Sequence, residues 1–216
     1  MGWFKDLLGT SNWQTAAPTS TGASGPLGMA QSKGVRFDTT LALLLEGSTS
    51  VRVPFDQAVW SAGWVDLGQS NKLHRYYMND EDFWVQIHVT GDDQVESVTL
   101  FNYLSYVTVN SDAELQRLAG PNSLIGLPTY HHDGVEYTRE WGTELQQTEL
   151  VPMTEHVVNP DESYTIKHHA MLYARDTGLT DRRELLLFSV EQDEEGTVSL
   201  STSLGISLYT TDLSAI

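Results

Sequence analysis

The chain contains no cysteine. That absence excludes disulfides, thiolate nucleophiles and thiolate-bound zinc together, and it fits a reducing compartment. Basic residues are scarce: 12 Lys and Arg stand against 29 Asp and Glu, giving a formal net charge of −17 over 216 residues. The acid is unevenly placed. Residues 1–50 are neutral, with Lys5, Lys33 and Arg36 against Asp6, Asp38 and Glu46, so the whole excess follows residue 50. A polyanionic backbone is repelled by such a body, so nucleic acid is not an expected partner. Solubility explains the acid most simply, and a docking face for a basic partner is the sharper reading.

Long apolar runs are missing too. No stretch approaches the ~20 residues of a membrane-spanning helix, and Leu41 to Leu45 is a short aliphatic run. The start lacks the apolar region and cleavage site of a secretory signal. Met1-Gly2 is followed by Asp6 where a myristoylation signal wants Ser or Thr. The expected location is cytoplasmic, with attachment to the inner membrane surface as a variant.

Three segments emerge. In residues 1–9, Trp3, Phe4, Leu7 and Leu8 fall at helical spacing with Lys5 and Asp6 opposite. Nine residues are too few for a stable isolated helix, so this segment reads as a docking peptide for the body, a partner or a bilayer surface. Residues 10–28, rich in Ser, Thr, Gly and Pro, read as a flexible linker. Trp13 within it, like Trp3, has no core to enter and marks an interaction role. Residues 29–216 read as one β-rich domain of two similar halves.

Six Trp, nine Tyr and six Phe supply a sizeable core. Asp38 is placed to cap a helix over Thr39 to Leu45, and Ser111 with Glu114 has the spacing of a capping box for a second helix ending at Gly120. The remaining signals are β. In Phe83 to Val89, alternation puts Phe83, Val85, Ile87 and Val89 on one face and Trp84, Gln86 and His88 on the other. Short acidic turns between strands favour antiparallel meanders over βαβ units. The expected class is α+β, predominantly antiparallel meander sheets with a few short helices. Stretches 73–101 and 171–204 share one layout, consistent with duplication or with the general likeness of meanders. Trp60, Trp64, Trp84 and Trp141 read as core or near-core.

No motif of strong catalytic spacing is present. The nucleophile elbow Gly-x-Ser-x-Gly, the phosphate-binding glycine loops and His-Glu-x-x-His are all absent. The doublets His131-His132 and His168-His169 cannot place both rings on one ion in regular β geometry, because neighbours point to opposite faces. A metal site there would need a converging carboxylate such as Asp133 or Glu155. His131-His132-Asp133-Gly134 reads as an exposed turn. The acidic turns lack the ligand order of a calcium loop. His74, Arg75, Asp80, Asp82 and His88 form the one polar cluster with catalytic composition, against the simpler reading of cross-strand pairing. No cofactor or metal is expected.

Three blocks of residues occur in a recognisable order: His74-Arg75-Tyr76-Tyr77 with Phe83 and Gln86; Leu124 to Pro128 with Tyr137, Arg139 and Trp141; and Met171-Leu172-Tyr173 with Arg175, Arg183-Glu184-Leu185-Leu186 and Leu204 to Leu208. Together they resemble the YjfK-like family of bacterial proteins of unknown function. The resemblance implies a cytosolic protein that accompanies a PspA-like coiled-coil protein and small membrane proteins, in envelope stress or membrane remodelling. The leading expectation is therefore a non-enzymatic acidic adaptor. The alternatives are a peripheral membrane protein anchored by residues 1–9, a hydrolase or transferase using His74, Arg75 and Asp82, and a virion-type assembly component.

Overall fold

The computed structural model describes residues 24–216. The docking peptide with Trp3, Phe4, Leu7 and Leu8, Trp13, and most of the expected linker lie outside the described residues. Pro26–Gly28, at the end of that linker segment, forms a 3-10 turn whose Pro26 is buried.

The elements follow in chain order: β1 (Gly34–Phe37), α1 (Leu41–Leu45), β2 (Gln57–Gly68), β3 (Asn71–Met78), β4 (Phe83–Thr90), β5 (Gln94–Val109), α2 (Asp112–Ala119), β6 (Thr129–His132), β7 (Val135–Arg139), β8 (Val151–Val158), β9 (Ser163–Asp176), β10 (Arg183–Gln192), β11 (Val198–Leu208) and β12 (Leu213–Ala215). Every strand pair is antiparallel.

The predominance of antiparallel β stands, but the architecture is a closed barrel of eight strands instead of open meander sheets. Strands β2, β3, β4, β5, β11, β10 and β9 pair in that order, and β8 closes the ring by pairing with β9 on one side and β2 on the other. Closure pairs most of the edges that an open sheet would leave for aggregation, while the end of β5 beyond β4 stays unpaired on that side. The two similar stretches become the meanders β3-β4-β5 and β9-β10-β11, which meet along β5 and β11. β1 with β12, and β7 with β6, extend from the parts of β2 and β9 that β8 does not cover.

The barrel is small inside and covered outside. Val85, Ile87, Leu100, Leu186 and Ile206 point outward, yet all are buried. They pack with Val35 and Phe37 of β1, Leu41 and Leu45 of α1, Leu115 of α2 and Tyr137 of β7. The apolar stripe of β4 is therefore a core stripe, but of a core that lies between the barrel wall and its wrapping segments. Each such side chain contributes about 1.5–3 kcal/mol through burial.

The local signals are borne out in outline. Ser111 Oγ accepts from the Glu114 amide at 3.2 Å, while the Glu114 carboxylate reaches the Asn110 amide at 2.9 Å instead of that of Ser111. The first cap differs from expectation: α1 begins at Leu41 with Thr40 at its N-cap and no side-chain cap, and Asp38 instead accepts from the Thr40 amide at 2.7 Å in the turn ahead of it. His131 and His132 end a strand, with Asp133 and Gly134 making the turn. Among the tryptophans expected near the core, Trp84 is buried, whereas Trp60 is 48% exposed at an irregularity in the β2–β3 register.

Candidate functional site

Strand alternation decides which side chains enter the barrel. On β3, Arg75 and Tyr77 face inward and His74 and Tyr76 outward; on β9, His168 enters and its neighbour His169 does not. The inward faces enclose a cavity of about 240 Å³. β2 contributes Ser61, β3 Arg75 and Tyr77, and β4 Trp84. Tyr103 comes from β5, Val157 from β8, His168 from β9, Ser189 and Glu191 from β10, and Ser201 and Ser203 from β11. All eight strands therefore line one hollow, with exposed Trp60 and Glu81 at its rim.

The floor of the hollow is an ionic network centred on Glu155, which is fully buried. Arg75 Nη1 donates to Glu155 Oε2 at 2.7 Å, and Arg75 Nε donates to Gln86 Oε1 at 3.1 Å. The Tyr77 hydroxyl donates to both Glu155 oxygens, at 2.9 and 3.0 Å. His168 Nε2 lies 3.0 Å from Glu155 Oε2, and since a carboxylate only accepts, that nitrogen carries the proton. His168 Nδ1 lies 3.0 Å from Ser189 Oγ.

Burial alone would raise the Glu155 carboxyl, but Arg75 and His168 outweigh it and hold it down at about 2. Burial would lower the Arg75 guanidinium, and Glu155 reverses that to a net rise. Burial, reinforced by Glu155, pushes the Tyr77 phenol well up. The guanidinium also sits over the Trp84 ring, 5.3 Å from its centroid.

Small residues make room for these groups. A Cβ on Gly63 of β2 would meet Glu155 Oε1 at 1.9 Å, so the carboxylate crosses β2 only because Gly63 has no side chain. A Cβ on Gly205 would sit 2.6 Å from the Phe101 ring, which stacks on Trp84 with centroids 4.1 Å apart.

A second ionic group holds the wrapping to the outer wall. Glu184 accepts from Tyr137 and Arg175, each at 2.6 Å, from the Ser50 amide at 3.0 Å, and from the Thr49 hydroxyl. Burial would raise its carboxyl, and the bonds from Arg175, Thr49 and Tyr137 give a net lowering. Arg139 donates to the carbonyls of Gly126, Gln146, Gly142 and Glu144, clamping the loop before β8.

The polar cluster of catalytic composition is dispersed. His74 lies on the outer face of β3, where burial lowers its imidazole and Nε2 finds no partner among the described residues. His88 shares the face of Arg75 but pairs with Asn71 at 3.1 Å. Asp80 lies in the β3–β4 turn, where its carboxylate accepts from the Asp82 amide at 3.2 Å. Asp82 meets exposed Arg52 at 3.4 Å. His74 and His88 sit on neighbouring strands but on opposite faces, because His74 is in register with Ile87 and His88 with Leu73.

Of that cluster only Arg75 reaches the central network. Its true partners, Glu155 and His168, lie 80 or more residues further along the chain, with no local motif to mark them. The available signal was weak: an inward-facing histidine and an inward-facing glutamate in strands otherwise rich in apolar residues.

Ser189, His168 and Glu155 have the composition of a catalytic triad. The roles do not follow. Glu155 is already neutralised by Arg75, so it has little charge left to stabilise an imidazolium. The strands flanking Ser189 run in continuous register with β9 and β11, so their amides are spent in the ladder and supply no oxyanion hole. Among the described residues no group of three or more His, Asp or Glu side chains is placed to hold a metal ion, and no helix is long and apolar enough to cross a membrane.

No curated protein and no solved structure matches the chain. One family does match, over residues 3–214, nearly the whole length. Residues of the three recognisable blocks contribute to both groups: Arg75 and Tyr77 bind Glu155 in the lumen, and Tyr137, Arg139, Tyr173, Arg175 and Glu184 fasten the wrapping. By that match the chain belongs to the DUF2491 family, described as proteins of unknown function.

Proposed function

We propose that this chain is a non-enzymatic binding protein that holds a small molecule in the barrel lumen. The observation that supports it is the hollow of about 240 Å³ lined from all eight strands. A closed eight-stranded barrel either fills its interior with side chains or leaves room for one small ligand. Here the polar groups at the floor satisfy one another, and the aromatic mouth remains available. Methyl-resolved NMR tests the reading. Soluble fragments added to the full chain are expected to shift the methyl signals of Met78, Ile166 and Leu187, which border the hollow. A folded protein whose lumen methyls ignore every fragment overturns it.

A second reading, the acidic adaptor, is favoured by a different observation. Tyr103 still donates its amide to the Asp82 carbonyl at 2.9 Å; beyond it β5 has no strand partner on its β4 side, and Leu104, Tyr106 and Val107 along this stretch are 43%, 63% and 41% exposed. An open strand edge can accept an extended segment of another protein, and the charge of −17 suits a basic one. In this reading the chain is the YjfK-like component of a bacterial envelope-stress or membrane-remodelling system, cytoplasmic and peripheral to the inner membrane, with a PspA-like coiled-coil partner. A pull-down comparing the full chain with one starting at Ser24 tests the docking peptide. Equal recovery of the coiled-coil protein removes residues 1–9 from the interface, and no recovery by either form ends the adaptor reading.

A further inference from the structure

We infer that the lumen takes a small organic cation, an ammonium or quaternary ammonium compound, held at Glu191 and faced by the rings of Trp60, Tyr103 and Tyr164. The inference rests on the lumen being a binding site and adds the ligand's chemical class.

The charge inventory of the hollow carries it. Arg75 is the guanidinium that enters, and Glu155 cancels it at 2.7 Å. Two carboxylates then remain, Glu191 in the wall and Glu81 at the rim. Glu191 accepts from Ser201 at 2.6 Å and lies 3.9 Å from His168 Nδ1, while no arginine pairs with it. Its side chain is 18% exposed, so it is largely desolvated yet reachable from the lumen. A desolvated carboxylate without a full countercharge attracts a cation more strongly than one in bulk water.

The rings supply the second element. Aromatic faces attract ammonium groups through their quadrupoles, which is how quaternary ammonium ligands are recognised. Tyr103 lines the hollow, and its hydroxyl stays protonated, because burial and the nearby Glu191 and Glu155 push its phenol up. It can therefore bond a hydroxyl or carbonyl on the same ligand. The charge of −17 adds a field that concentrates cations and repels anions.

The test uses the full-length protein and three probes of similar shape: choline, its neutral isostere dimethylbutanol, and the anion dimethylbutanoate. Binding is read from the lumen methyls of Met78, Ile166 and Leu187. Choline is expected to bind about tenfold more tightly than the neutral isostere, the anion not at all. Glu191→Gln keeps a hydrogen-bond acceptor for Ser201 and is expected to abolish the discrimination, while Glu195→Gln on the exposed β10–β11 turn leaves it intact. If the alcohol or the carboxylate shifts the lumen methyls as strongly as choline, the cation inference fails and the lumen site stands. If none of the three shifts them, the cation inference fails, and the lumen reading then rests on the wider fragment screen. Should Glu191→Gln not fold, the choline-to-alcohol comparison in the unaltered chain decides.

Discussion

Glu155 on β8 reaches across the bare backbone of Gly63 on β2 to bind Arg75 on β3, with Nη1 2.7 Å from Oε2. The pair spans three adjacent strands at the place where the barrel closes, so it reports directly on closure. Gly63→Ala puts a methyl where Glu155 Oε1 now lies, 1.9 Å from the new Cβ, and displaces the carboxylate. Breaking a buried ion pair costs about 3–5 kcal/mol. A loss of that order in denaturant unfolding is expected, and a loss below about 1 kcal/mol would mean that closure does not depend on this pair.

Acid sensitivity follows from the same carboxylate. Glu155 is held at about 2 in the folded chain against an ordinary 4.5. Its contribution is therefore fully present above the unfolded value and is lost as pH falls from there through the folded value. Glu184, also lowered, acts in the same direction. Unfolding free energy measured between about pH 5 and pH 2 should fall, and Glu155→Gln should flatten that fall. The variant should also be less stable at neutral pH, because Arg75 is left buried without a countercharge. An unchanged pH slope in Glu155→Gln would remove Glu155 as the source.

Ser189→Ala separates structural from catalytic use of the triad-like set. One hydrogen bond to His168 is lost, and a cost of about 1 kcal/mol is expected. Neither the native chain nor the variant should show an ester-hydrolysis burst. A burst in the native chain that Ser189→Ala abolishes would make this an enzyme.

Arg139→Lys tests the clamp on the loop before β8. Lysine offers three donors from a point charge and cannot reproduce a planar fork that reaches four carbonyls. The loop over 142–147 should become susceptible to limited proteolysis while the lumen methyl signals stay in place. Equal resistance in both forms would show that the loop is held by packing alone.

Much of the local structure was legible in the sequence. The alternation in Phe83 to Val89 assigned side chains to the correct two faces, and Ser111 with Glu114 marked the start of α2. The same alternation could not say which face curves inward. Here the apolar face of β4 turns outward under the wrapping, and the face bearing Trp84 and Gln86 turns into the lumen. Local sequence was misleading for the polar cluster, where closeness along the chain put His74 beside Arg75 although alternation sends them to opposite sides.

What the sequence determined by itself was the acidic charge, the strand periods and the start of α2, because each depends on a residue and its near neighbours. Only the tertiary structure decided that the sheet closes, and with it the network of Arg75, Glu155 and His168. Closure depends on β8 pairing with β2 and β9 at once. Contacts across 80 residues are selected by the sum of packing, register and desolvation over the whole barrel, which no local pattern encodes.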